Sequence, residues 1–356
     1  MNSLERVNAV LDHRLPDRVP VALHNFLLAC AMTKADLSVV LKSGEMLAEA
    51  QLAAWREFGH DLIMHENGVC AEAEAMGCGI WYQPNLPPHV EDPVIRSFDD
   101  IDKLTIPDPE KTFPLNEMLR ATRILVRETK GEVFVMGRAD QGPVALALAL
   151  SGPEKFLTAI MEPHLRPRVL QLLDICSKTN IAYGEAQKRA GAHGSSIGSV
   201  GLSLISPNLF DDLERPRVKA FCKAMRRAGL RSFVHSCGNE TRLIENLMGT
   251  GADCLELDPR TDPKILKKKI IKRISVLGML DSTHILPNGR VQEIRKHTHE
   301  IMSVMAPHGE FILGPGCALT AAVPPIAIHT IMECARSYGH YAPDGSLPEL
   351  DKVNKG

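Results

Sequence analysis

A histidine and two cysteines in this sequence have the residue types and the spacing of zinc ligands. His235 and Cys237 end a short, strand-like apolar run, and Gly238 lets the backbone turn after them. Side chains two residues apart on an extended chain point the same way, so both can face one site. Cys317 ends another such run much later in the sequence. Three protein ligands with an open fourth position are typical of catalytic zinc, so we predict that these three residues bind Zn²⁺.

Two thiolates and one imidazole make a soft, electron-rich zinc site. Such a site is suited to binding a thiol, lowering its pKa and holding it as a nucleophilic thiolate, which predicts alkyl transfer to sulfur. The alternative is a buried histidine beside inert core cysteines. We expect core packing for four other cysteines and leave a ligand role open for two: Cys176, Cys222, Cys254 and Cys334 on the one hand, Cys70 and Cys78 on the other.

Composition limits the fold and the partners. The chain has 356 residues, 44% of them hydrophobic, which is enough for a large core, and its net charge is −2. Basic residues are scattered, so we expect neither a nucleic-acid nor a membrane partner. Residues 1–6 lack the apolar core of a signal peptide, and nine cysteines in a chain of this length do not make a disulfide framework. We therefore expect a cytoplasmic protein with reduced cysteines.

Short apolar runs alternate with stretches of helical spacing along the chain. Continuous apolar runs suit strands that are buried on both faces. The eight runs are 19–25, 61–66, 133–138, 195–200, 231–237, 253–258, 274–280 and 310–314. Apolar stripes with helical periodicity lie between them, at 47–58, 218–225, 243–248, 291–305 and 328–335.

Eight strands alternating with helices predict an α/β fold, a (β/α)8 TIM barrel, in a single domain over residues 1–356. Residues 1–18 are predicted to form a helix and a loop across the end of the barrel opposite the site. The proline-rich segment 84–114 breaks the alternation, so we interpret it as an excursion between strands two and three. An open, doubly wound sheet is the alternative fold.

Barrel enzymes carry their active sites at the carboxyl ends of the strands, so polar residues at predicted strand ends are candidates. The candidate catalytic residues are Glu74 and Asp281, and the candidate substrate-binding residues are His24, Asn25, Arg138, Gln141, Ser206 and Glu256. Arg138 and Gln141 could hold an anionic tail such as a sulfonate or a carboxylate. We expect His297 and His299, on a charged helix, to be solvated.

The acidic candidates have two interpretations each. Glu74 or Glu72 could supply a fourth zinc ligand when substrate is absent, or could lie on a solvated loop or helix. Asp281, Glu256 and Asp258 could line the pocket or orient the ligand histidine through a hydrogen bond, or could form salt bridges of the barrel.

Several segments resemble the uroporphyrinogen decarboxylase superfamily. They are 15–21 (Leu-Pro-Asp-Arg-Val-Pro-Val), 204–207 (Leu-Ile-Ser-Pro), 277–281 (Leu-Gly-Met-Leu-Asp) and 338–341 (Tyr-Gly-His-Tyr). Within the superfamily, three more segments resemble the zinc-dependent methylcobamide:coenzyme M methyltransferases: 73–78 (Ala-Glu-Ala-Met-Gly-Cys), 235–239 (His-Ser-Cys-Gly-Asn) and 314–317 (Gly-Pro-Gly-Cys). The resemblance covers nearly the whole chain.

The resemblance implies a (β/α)8 barrel with one zinc ion held by His235, Cys237 and Cys317. It also implies transfer of a methyl group between a corrinoid and a thiol or another small acceptor. The sequence has no D-x-H-x-x-G corrinoid-binding motif, so a separate protein would carry the methylcorrinoid. Transfer in the other direction, from a small methylated donor onto the corrinoid, stays open.

Two further functions stay open. One is a metal-free decarboxylase or lyase that acts on an acidic tetrapyrrole, and the other is a binding or delivery module for a corrinoid protein. The decarboxylase branch holds its polycarboxylate with arginines after strand one, where this chain reads His-Asn-Phe-Leu at 24–27. The segments 191–199 and 323–328 also depart from the family pattern, which leaves the substrate open.

Overall fold

A computed structural model describes residues 1–84, 86–199 and 205–348, without the side chain of Asp140. The strands are β1 Ala22–Leu23, β2 Leu62–Met64, β3 Gly79–Trp81, β4 His89–Asp92, β5 Phe134–Gln141, β6 Gly194–Gly198, β7 Arg231–Ser236, β8 Cys254–Leu257, β9 Ser275–Leu280 and β10 Phe311–Pro315. The helices are α1 Ser3–Leu11, α2 Phe26–Met32, α3 Leu37–Val40, α4 Gly44–Phe58, α5 Ala71–Ala75, α6 Leu115–Thr129, α7 Pro143–Ser151, α8 Pro153–Ala159, α9 Arg166–Arg189, α10 Pro207–Leu209, α11 Arg215–Ala228, α12 Ile244–Met248, α13 Pro263–Ile270, α14 Ile285–Asn288, α15 Val291–Met305 and α16 Pro325–Tyr338. Two 3₁₀ segments, Phe98–Lys103 and Pro163–Leu165, and a π-helical turn, Phe210–Glu214, complete these elements.

Eight parallel strands form one sheet in the order β1-β2-β5-β6-β7-β8-β9-β10. A parallel bridge between Val21 and Leu313 joins the last strand to the first, so the sheet closes into a barrel. This confirms the predicted (β/α)8 fold and excludes an open sheet. Each predicted run overlaps one barrel strand, and Val200, at the end of the fourth run, lies outside the described residues.

The strands are buried on both faces because helices cover the outside of the barrel while side chains fill its interior. Every residue of β9, for example, is buried. Helix α4 shows how a helix packs on the barrel. Leu47, Ala50 and Ala54, on its predicted apolar stripe, are completely buried. Within the described ranges, we find no helix that combines the length and the apolar character needed to cross a membrane.

Helix α1 closes the amino-terminal end of the barrel. Its residues Val7, Val10 and Leu11 pack against interior side chains of the strands. The fully buried Asp61 fastens this end, because it pairs with Arg6 at 2.7 Å and with Arg18 at 2.8 Å. The opposite end, where the strands finish, is therefore the one left for a site.

An antiparallel hairpin of β3 and β4 lies between the second and third barrel strands, and the sequence did not predict it. Its strands are three and four residues long and half-buried or exposed, so they lack the apolar pattern from which a strand is recognised. The hairpin begins at Gly79, five positions before the predicted excursion at 84–114.

Candidate metal centre

His235, Cys237 and Cys317 converge at the carboxyl ends of β7 and β10. Nε2 of His235 lies 2.9 Å from Sγ of Cys237 and 4.0 Å from Sγ of Cys317, and the two sulfur atoms are 3.6 Å apart. Tetrahedral zinc, with bonds of about 2.3 Å to sulfur and 2.0 Å to nitrogen, needs ligand separations of about 3.5 to 3.8 Å. The three observed separations between ligand atoms lie on both sides of this range, so the donor set fits zinc. Among the described residues, these three form the one histidine, cysteine and carboxylate group whose ligand atoms lie within 4.8 Å of one another.

Two glycines set the positions of the cysteines. Gly238 has a φ of 114°, which L side chains rarely adopt, and this lets the chain turn away immediately after Cys237. Gly316 precedes Cys317, and a Cβ atom there would collide with Cδ of Pro259 and lie 3.0 Å from Cα of Asp258. The loop after β10 can therefore pack against the loop after β8, which brings the third ligand to the other two.

The three ligand side chains perturb each other's protonation. The hydrogen bond with Cys237, assisted by His235, lowers the pKa of Cys317 to about 3. The same hydrogen bond, together with burial, raises the pKa of the Cys237 thiol. Burial alone would lower the pKa of His235, but Cys317 and Glu256 outweigh it and raise that pKa. The arrangement therefore favours ionisation of one of the two sulfur atoms, and the thiolate is the form that binds a metal.

A row of buried charged side chains lies behind the histidine, inside the barrel. Oε2 of Glu256 is 3.6 Å from Nδ1 of His235 and 3.0 Å from Nη1 of Arg138. Nε of Arg138 lies 2.6 Å from Oε2 of Glu66, whose Oε1 is 3.1 Å from Nε2 of His24. Burial would raise the pKa of Glu66, but the charges of His24 and Arg138 lower it to about 2. The pKa of Glu256 is also lowered, against burial, by Arg138 and His235.

A cavity of about 360 Å³ opens beside the two cysteines. Its lining consists of Cys237, Asp258, Pro259, Arg260, Asp281, Ser282, Thr283, His284 and Cys317. Asp258 binds Arg260 through two side-chain hydrogen bonds of 2.9 and 2.6 Å. Oδ1 of Asp281 accepts hydrogen bonds from the backbone N–H groups of Thr283 and His284. Burial opposes ionisation of Asp281, but these N–H groups lower its pKa, so the cavity wall carries a carboxylate.

The two candidate fourth ligands, Glu74 and Glu72, do not join the cluster of three. Oε2 of Glu74 accepts a hydrogen bond of 2.6 Å from the hydroxyl group of Tyr82. Glu72 is completely buried, its Oε1 lies 3.4 Å from Nδ2 of Asn180, and burial raises its pKa to about 8. Glu72 is therefore not on a solvated loop, and neither carboxyl group belongs to the metal cluster in this conformation.

The remaining candidates divide between the barrel interior and the loops. Asn25 is buried next to His24 and immediately precedes α2. Gln141 donates from Nε2 to the carbonyl oxygen of Val69 at 3.3 Å. Ser206 is exposed, and its Oγ accepts from the backbone N–H of Leu209, which caps the short helix α10. Leu204, in the family segment 204–207, lies outside the described residues.

Some contributors to the site were missed in the sequence. Glu66 is the last residue of the predicted run 61–66 and pairs with two candidates, His24 and Arg138. Arg260 and His284 line the cavity, and the signal available was their position immediately after strands six and seven. The prediction that His297 is solvated was wrong. Its Nε2 accepts a hydrogen bond of 3.1 Å from the backbone N–H of Asp281, so it supports the loop that borders the cavity.

The cysteines separate into two classes by burial, and the four that were expected to pack in the core are buried. Cys237 and Cys317 are partly exposed at the cavity, whereas the other seven are buried. The buried ones are Cys30, Cys70, Cys78, Cys176, Cys222, Cys254 and Cys334.

The arrangement can be compared with known proteins. The family model described as uroporphyrinogen decarboxylase (URO-D) matches residues 2–338. This chain belongs to the URO-D family. This URO-D protein is 28% identical, over 356 aligned residues, to a methylcobamide:CoM methyltransferase of Methanosarcina acetivorans. The alignment covers 94% of this chain and 97% of that protein. It is also 26% identical to a uroporphyrinogen decarboxylase of Klebsiella pneumoniae, covering 79% of this chain and 80% of the relative.

A solved structure has the same URO-D fold. It is a methyltransferase from Methanosarcina mazei that superposes with a TM-score of 0.85 at 22% sequence identity, covering 94% of this chain and 98% of the other. This likeness confirms the barrel fold.

Proposed function

We propose that this URO-D protein is a zinc-dependent methyltransferase. It moves a methyl group between the corrinoid of a separate protein and a thiol or another small acceptor. The observation that carries the proposal is the convergence of one imidazole and two thiols, with a cavity beside them. The methylcobamide:CoM methyltransferase relative, aligned over 94% of this chain, supports the same class of reaction.

His235, Cys237 and Cys317 would hold the zinc ion. When bound, zinc lowers the pKa of a thiol in its open position and keeps that thiol as a nucleophilic thiolate at neutral pH. Two anionic cysteine ligands leave the site electron-rich, which favours nucleophilic sulfur over water activation.

The chain's other residues bind and orient the acceptor. The cavity of about 360 Å³ gives a small molecule access to the two cysteines. Asp281 lies in its wall as a carboxylate, and we propose that it orients the acceptor by accepting a hydrogen bond from its S–H group before the proton passes to solvent. Arg260, held by Asp258, supplies a cation in the same cavity. A methyl group presented at the cavity mouth then needs proximity and alignment more than further acid–base chemistry.

Glu256 is the residue that we propose to orient His235. If His235 holds zinc through Nε2, its ring proton would lie on Nδ1, and a carboxylate that faces Nδ1 would favour that tautomer and raise the basicity of the ligand. Oε2 of Glu256 lies 3.6 Å from Nδ1.

The test is methyl transfer from free methylcobalamin by zinc-loaded protein under anaerobic conditions. A panel of small thiols with anionic, neutral and cationic tails is supplied, and the cobalt spectrum reports loss of the methyl group. Methylation of at least one thiol is expected, together with loss of that activity in Cys237→Ser. Cys222→Ala is the matched control, because Cys222 is buried on α11.

The same assay determines the direction of transfer. Reduced cobalamin is mixed with methylated donors, including methyl thioethers, and formation of methylcobalamin is monitored. Zinc-loaded protein that transfers no methyl group in either direction would contradict the proposal.

A further inference from the structure

Arg138 occupies the centre of the buried row that ends at the histidine ligand. Two different edges of its guanidinium are used, since Nε lies 2.6 Å from Glu66 and Nη1 lies 3.0 Å from Glu256. Glu256 faces His235, and Glu66 faces His24. The row therefore connects the end of the first barrel strand with the proposed metal ligand on β7.

The residues of this row are sealed from solvent. The side chain of Arg138 is 1% exposed, and those of Glu66 and Glu256 are 2% and 3% exposed. Removing one partner from such a network leaves an uncompensated buried charge, which is far more costly than losing an exposed ion pair.

A direct role in holding an anionic tail does not suit Arg138. Its charge already faces two carboxylates, which balance it and leave it less available to a third anion. The residue also does not line the cavity beside the cysteines, whereas Arg260 does.

Ser196 adds a second restraint on the same carboxylate. Its Oγ donates to Oε1 of Glu256 at 2.5 Å, while Arg138 holds Oε2. Both oxygens of Glu256 are thus fixed by residues of the neighbouring third and fourth barrel strands. Because both of its oxygen atoms are restrained, the carboxylate of Glu256 has a fixed position beside the imidazole ring of His235.

We propose that Arg138 is a positioning residue for the metal ligand His235, acting through Glu256, with Glu66 as the counter-charge that holds the guanidinium in place. The inference rests on the proposed zinc site. It assigns the row an organising role, separate from substrate binding. Arginine is required because its planar group contacts two carboxylates from two edges, which the single ammonium group of lysine cannot reproduce.

The experiment measures zinc affinity of the full chain by competition with a chromogenic chelator, so it does not depend on turnover. Arg138→Lys is expected to weaken zinc binding roughly 10- to 100-fold, the range observed when partners of metal ligands are removed. The visible spectrum of the Co²⁺-substituted protein should change as well, since the histidine ligand is displaced.

Arg18→Lys is the matched control. Arg18 also pairs with a buried carboxylate, Asp61, but at the opposite end of the barrel. It should lower stability without changing zinc affinity or the Co²⁺ spectrum. If Arg138→Lys does not fold, the charge-matched double variant Arg138→Met with Glu66→Gln replaces it, and the same loss of zinc affinity is expected.

The outcomes are distinct. Zinc affinity within twofold of wild type in the Arg138 variants overturns the inference while leaving the zinc site intact. Unchanged zinc affinity with a raised KM for anionic thiols alone would identify Arg138 as a substrate anchor and also overturn it. Wild-type protein that binds no zinc would instead contradict the proposed function itself.

Discussion

The Sγ atoms of Cys237 and Cys317 lie 3.6 Å apart, although the residues are 80 positions apart in the sequence. This proximity predicts that the metal-free protein forms a disulfide between them when treated with hydrogen peroxide. Two thiols are oxidised, and the peroxide is reduced to water. Peptide mapping by mass spectrometry should find this one cross-link, because the other seven cysteines are buried. Bound zinc should slow formation of the disulfide, because both sulfur atoms would be ligands of the ion. Equal rates with and without zinc would contradict that ligand set.

Gly316→Ala should displace Cys317. The added methyl group meets the ring of Pro259 and the backbone at Asp258, which cannot move aside as the end of a flexible side chain can. We expect a loss of about 1–3 kcal/mol in the free energy of unfolding and weaker zinc binding. Denaturant titration and chelator competition measure the two effects. Gly249→Ala serves as the control, since the nearest atom to a Cβ there lies at 3.2 Å and φ is −65°.

Glu214 should make stability depend on pH. It is completely buried between Val144 N–H and Ser199 Oγ, and burial raises its pKa to about 7. The carboxyl group is thus protonated in the folded state at a pH where it is ionised in the unfolded chain. The contribution of protonated Glu214 to the free energy of unfolding is fully present below about pH 4.5. It is lost as pH rises through about 7, by at most about 1.4 kcal/mol per pH unit.

The comparison for this prediction is Glu214→Gln. Denaturant unfolding of both proteins at pH 5, 6 and 7 isolates the contribution of this residue, since the other titrating groups are shared. The wild type should lose more stability over this range than the variant. Parallel pH profiles would show that burial of Glu214 does not perturb its protonation.

Zinc removal should leave the barrel folded. The core is formed by the strands and helices, and the ligands lie at its rim, so metal binding adds stability to a chain that already folds. After chelation, far-UV circular dichroism should be retained while the midpoint of thermal unfolding decreases. Loss of the dichroism signal on chelation would mean that the metal is needed for folding.

The barrel and the three metal-binding candidates could be predicted from the sequence because they depend on local patterns. Apolar runs fix strands, and the carboxyl ends of strands in a closed barrel meet on one face, so His235 and Cys317 had to come near each other. The family resemblance is confirmed by the match over residues 2–338.

The ion-pair and hydrogen-bond partners of the candidate residues could not be predicted. They depend on which side of a strand each side chain faces and on residues that are far away in the sequence. Arg138 looked available for an anionic tail, but Glu66 and Glu256, 72 and 118 positions away, already balance its charge. Glu74 looked available for zinc, but the unpredicted hairpin brings Tyr82 to it. Pattern and propensity specify neither contact.

The central claim is that His235, Cys237 and Cys317 hold one zinc ion. The most direct test is the zinc content of purified wild-type protein beside Cys317→Ala and the buried-cysteine control Cys222→Ala. About one zinc per chain in the wild type and the control, largely lost in Cys317→Ala, is the predicted result. A wild type that stays metal-free after incubation with zinc, or a Cys317→Ala variant that retains the full content, would contradict the account.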